Sequence, residues 1–87
     1  MATDADRLRF VHQTTVDAIV QDALNAIDKP ELFSADPQVR LRSSLDRYPA
    51  EFGEALERCR KLAADNPRDF VAAGAVSVMT SVLETSD

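Results

Sequence analysis

The chain has 87 residues, 45% of them hydrophobic and 29% charged, with a net charge of −5. That balance excludes a disordered tail, which is poorer in Leu, Ile, Val and Phe. It also argues against bulk phosphate binding, which draws its affinity from Lys and Arg, and the single cysteine excludes an internal disulfide.

Length implies one domain spanning residues 1–87, with a thin core. The charge is uneven. Residues 1–36 carry three bases and seven acids, residues 37–61 six bases and four acids, and residues 62–87 one base and four acids. Only the middle of the chain is basic. The first nine residues hold four charges with no apolar run behind a basic start, unlike a signal peptide. The longest uncharged stretch, 70–83, is fourteen residues long, too short for a bilayer. The expected setting is cytoplasmic.

Four prolines punctuate the elements. The first helix is predicted over Asp4 to Asp28. Leu8, His12, Val16, Ile19, Ala23 and Ile27 recur at spacings of three and four and define its apolar stripe. Lys29-Pro30 ends it and opens a short turn, from which Leu32 and Phe33 are expected to plug the core. Asp36-Pro37 pairs a good N-cap with a proline suited to a first helical turn, and a second helix follows to Arg47. Leu41, Leu45 and Tyr48 share one of its faces.

Tyr48-Pro49 starts the third helix, Pro49 to Ala64, with a poorer cap. Phe52, Ala55, Leu56, Cys59, Leu62 and Ala63 form its packing face. Glu54 with Arg58 and Glu57 with Lys61 are spaced as exposed i,i+4 pairs. Asn66-Pro67, with Asp69 three residues after Asn66, reads as the start of a fourth helix running to about Glu84. That helix is apolar nearly all round and therefore calls for burial nearly all round. Either it is the central element, packed closely through Ala73 and Gly74, or it is shared with a second subunit. The fold class is all-α: a small four-helix bundle or orthogonal helical array.

Residues that carry chemistry are few. His12 and Cys59 are each the only residue of their type. His12 reads as a boundary histidine bonded to backbone or water, Cys59 as a small buried hydrophobe. Neither has neighbours at metal-ligand spacing, and both glycines, Gly53 and Gly74, fall inside helices rather than in a phosphate-binding loop. No cofactor, metal or catalytic residue is expected, and the chain reads as a non-enzyme.

The leading expectation is a non-catalytic protein-binding regulator or adaptor, dimeric through Phe70, Gly74, Ser77, Val78 and Ser81. Phe33, Arg40, Arg47 and Tyr48 are its candidate partner-binding surface, because aromatic residues and Arg are enriched at such anchors. A second expectation is an inhibitor encoded by a phage or bacterium, whether anti-defence, antitoxin or immunity protein. Its acidic face (Asp17, Asp22, Asp28, Asp65, Asp69 and Glu84) would oppose a nucleic-acid-binding partner. A third is a helical DNA-binding regulator using Arg40, Arg42, Arg47 and Arg58. The acidic start of the third helix, Glu51 to Glu54, weighs against it, since phosphate would be repelled there.

Overall fold

The computed structural model describes residues 4–32 and 36–85. Four helices follow one another: α1 (Asp4–Asp28), α2 (Pro37–Arg47), α3 (Pro49–Asp65) and α4 (Phe70–Glu84), with one 3-10 turn over Pro30–Leu32 after α1. No strand occurs among the described residues, and each helix packs against the other three. The arrangement is a small helical bundle.

Local chemistry sets the helix boundaries. Asp36 caps α2: its carboxylate accepts from the Gln38 backbone N–H at 2.9 Å, and Pro37 follows with no N–H to satisfy. Tyr48 is the whole link between α2 and α3. Its N–H donates to the Ser44 carbonyl and its own carbonyl accepts from Phe52 N–H, both at 2.8 Å, with no side-chain cap. One residue, at φ −135° and ψ 63°, thus closes one helix and opens the next, outside the α region that the following proline disfavours for it.

The start of α4 differs from the sequence expectation. Asn66 closes α3 instead of opening α4: its N–H and its side-chain amide both donate to the Leu62 carbonyl. Residues 66–69 form a turn, in which Asp69 N–H donates to the Asn66 carbonyl. Asp69 is the cap of α4, accepting from Val71 N–H at 3.0 Å and Ala72 N–H at 3.2 Å. A carboxylate there also suits the positive end of the helix dipole, which an amide does not.

The core takes Val16, Ile19 and Ala23 from α1, Leu41 from α2, Phe52, Ala55, Leu56 and Cys59 from α3, and Ala72, Ala75, Met79 and Val82 from α4. Phe52, Leu41 and Met79 are the largest side chains wholly out of solvent. Each stabilises the fold by about 1.5–3 kcal/mol through removal of apolar area from water.

Around α4, the flanks Val71, Gly74, Val76 and Val78 are half-buried, and an outer stripe of Phe70, Ala73 and Ser77 is exposed. Apart from that stripe and the exposed Leu83 and Glu84 at its end, the helix is covered by its own chain. Gly74 permits this. A Cβ there would fall 2.9 Å from Ile27 Cγ1, so α1 and α4 approach through the missing side chain.

Helix lengths shape the molecule, which measures 41 × 29 × 26 Å. At 25 residues α1 is about 37 Å long, against about 16 Å for α2 and about 22 Å for α4. Its first two turns outrun the bundle: every residue from Asp4 to Val11 is exposed, and the first buried one is Val16.

Candidate functional site

At the base of that projection sits His12. Its position on the apolar stripe of α1 turns it toward the start of α3, where Glu51 and Glu54 lie one helical turn apart. Nδ1 is 3.1 Å from Glu51 Oε1, and Nε2 contacts Glu54 Oε2. The ring is about one-third exposed. Glu54, bonded to it, raises the His12 pKa above its ordinary 6.5, with Glu51 adding to the effect and partial desolvation opposing it. In return the imidazole holds the Glu54 carboxyl below its ordinary 4.5, helped by Gln13 and by the charge of Arg58.

His12 was expected to bond backbone or water; it bonds two carboxylates instead. The reason lies in tertiary placement, since the two partners are 39 and 42 residues away in sequence. One imidazole directs its two nitrogens apart, so this trio does not converge on one ion. No cluster of three or more His, Cys, Asp or Glu suited to a metal occurs among the described residues. Cys59 is fully buried, and burial pushes its thiol pKa up, away from the nucleophilic thiolate.

The arginines work between helices. Arg58 donates to Asp17 and Gln13 of α1. Arg40 Nε donates to Asp22 Oδ2 at 3.1 Å, joining α2 to α1, and Arg42 donates to Thr85 Oγ1 at 2.7 Å, joining α2 to the end of α4. The spaced pairs Glu54 with Arg58 and Glu57 with Lys61 give way to other partners. Glu54 takes His12, Arg58 takes Asp17, and Glu57 pairs with Arg60 at i,i+3. For Glu54 and Arg58, interhelical partners are available at these heights and displace a weak surface pair worth only tenths of a kcal/mol, whereas Glu57 exchanges one neighbour on its own helix for another.

Of the candidate partner-binding residues, Phe33 lies outside the described residues. Arg47 and Tyr48 are exposed at the α2–α3 link, Tyr48 by 45%, while Arg40 is engaged with Asp22. Of the candidate dimer residues, Phe70 and Ser77 are exposed, with Phe70 at 84%. Gly74 meets Ile27, Val78 packs on the core, and Ser81 is half-buried. The acidic face is partly consumed: Asp17 and Asp22 hold arginines and Asp69 caps α4.

The surface that sequence reading missed is the projecting end of α1. Leu8, Phe10 and Val11 are 71%, 72% and 59% exposed, with Asp6 and Arg7 beside them. Leu8 was expected in the packing stripe. The signal that exposes it is length, because a 25-residue helix has no partner of matching reach among helices of 11 to 17 residues. A second apolar feature is a shallow groove between α1 and α3, lined by Val20, Arg58, Lys61, Leu62 and Asp65. Leu62, expected on the packing face of α3, is 39% exposed there.

No family model, curated protein or solved structure matches the chain. Among the described residues no helix is long and apolar enough to cross a membrane.

Proposed function

We propose that this chain is a non-catalytic, cytoplasmic binding protein, a regulator or adaptor that engages another protein through the projecting first turns of α1. The observation that carries the reading is the exposure of Leu8, Phe10 and Val11 on two helical turns that no other helix among the described residues covers. Large apolar side chains held in one small region of a surface are the usual currency of protein association. Leu8 and Val11 share one side of the helix and Phe10 faces away from Leu8, so the partner's hydrophobic groove would enclose this helix end rather than meet a single face. The remaining chemistry fits a binding role: His12 has both nitrogens committed, and Cys59 is buried as a thiol.

The alternatives have less to stand on. An acidic mimic of nucleic acid would spend charges that here hold Arg40 and Arg58 in place, and a DNA reader would spend the same arginines. Self-association through α4 retains Phe70 and Ser77, while Gly74 and Val78 face their own chain.

The test is a pull-down from host lysate with nuclease, at low and high salt, using the wild type and a Leu8→Asp/Phe10→Asp variant. Neither residue belongs to the core, so the variant keeps its helical circular dichroism. The expected result is a stoichiometric partner held by the wild type at both salt concentrations and lost by the variant. A partner that the variant retains, or one that high salt removes from the wild type, overturns the reading in favour of a charged face.

A further inference from the structure

The polar seam between α1 and α3 has two tiers. The outer tier is His12 with Glu51 and Glu54; the inner is Arg58 with Asp17 and Gln13. Arg58 keeps its charge at every accessible pH, whereas a histidine does not. A neutral imidazole has one N–H and one lone pair, so it satisfies one carboxylate and turns the lone pair on the other. Carboxylates at both ring nitrogens therefore call for the imidazolium. The position of this tier gives it leverage. Everything N-terminal to it, from Asp4 to Val11, is exposed. A helix end whose large side chains, Leu8, Phe10 and Val11, all stand exposed gains little from packing, so its persistence leans on the point at which it is fastened.

We infer that His12, Glu51 and Glu54 form a proton-operated clamp: the imidazolium fastens the base of the projecting segment to α3, and loss of its proton releases that segment to fray while the Arg58 tier holds the rest of α1. The charges that act on His12 come from Glu54 and Glu51 of α3, with Arg58 acting in turn on Glu54, and α1 contributes the neutral Gln13 beside them. α2 and α4 supply none of the charges that shift it.

Both signs follow from linkage. The His12 pKa is raised, so its contribution is complete below the ordinary 6.5 and is lost as pH rises through the raised value. The Glu54 pKa is lowered, so its contribution is complete above the ordinary 4.5 and is lost as pH falls through the lowered value. The clamp is closed between pH 4.5 and 6.5 and opens above the raised His12 value. This inference stands apart from the docking role of α1; if both hold, the clamp sets the order of the docking surface.

The test is amide hydrogen exchange by NMR on the full chain, from about pH 5.5 to about 8.5, corrected for intrinsic rates, with the His12 ring proton shift followed in the same samples. The first four N–H groups of a helix have no intrahelical partner and carry no information, so the readout is Leu8 to His12. These amides are expected to exchange roughly threefold or more faster above the His12 midpoint, itself above 6.5, with residues 16–24 unchanged. In His12→Gln the step is absent. In Glu51→Gln/Glu54→Gln the step is lost and the His12 midpoint returns toward 6.5. A wild type whose Leu8–His12 exchange shows no step overturns the clamp. So does a step that survives in His12→Gln, or a His12 midpoint that ignores both glutamates.

Discussion

Leu8, Phe10 and Val11 near one end of α1, and Val16, Ile19 and Ala23 further along it, are all apolar and belong to one unbroken helix. The first group stands 59–72% exposed and the second is buried. The difference is the presence of a neighbour at that height. α3 begins opposite His12 and α4 runs opposite the later turns, while every residue from Asp4 to Val11 stays exposed. Periodicity states which face of a helix is apolar; it does not state whether anything is there to meet it.

Six substitutions, taken in three pairs, break or sharpen this contrast. The largest effect belongs to Ile19→Ala, expected to cost about 2–5 kcal/mol in urea unfolding, because it empties a packed site. Leu8→Ala is its control and should cost less than about 0.5 kcal/mol. Equal losses at the two positions would mean that the outer turns are covered in solution and the contrast is void. Next comes Gly74→Val, which forces a side chain onto Ile27 and should cost about 1–3 kcal/mol. Adding Ile27→Ala should recover part of that loss, and strict additivity of the two changes would show that they do not touch. Smallest is Asp69→Ala at about 1 kcal/mol, from loss of the α4 cap, against a few tenths for Asn66→Ala. Reversal of that order would return the cap to Asn66.

Much of the fold was legible because prolines and caps act locally. Asp36-Pro37 and Tyr48-Pro49 mark the starts of their helices to the residue, and Phe52, Ala55, Leu56 and Cys59 pack as their spacing indicates. The fourth helix begins later than Asn66-Pro67 suggests, since two plausible caps lie three residues apart and only the backbone path decides between them. The rest was hidden for one physical reason, sequence distance. Glu54 has a suitable partner four residues away in Arg58, yet binds His12 from another helix. Arg58 likewise turns to Asp17. Leu8 and Leu62 keep the right period and lack a covering neighbour. Gly74, expected in a close helix contact, makes that contact with Ile27 of its own chain.

The buried thiol of Cys59 has a practical consequence. Cys59 is the only cysteine in the sequence, it is wholly enclosed, and its reactive form is suppressed by its surroundings. An alkylating reagent therefore meets it only when the bundle opens. The rate of labelling becomes a clock for whole-molecule opening, read from one atom without any added probe. Fraying of the first turns of α1 leaves that clock untouched, because Cys59 belongs to α3 and packs in the main core. The molecule carries its own means of telling a loosened end from a lost fold.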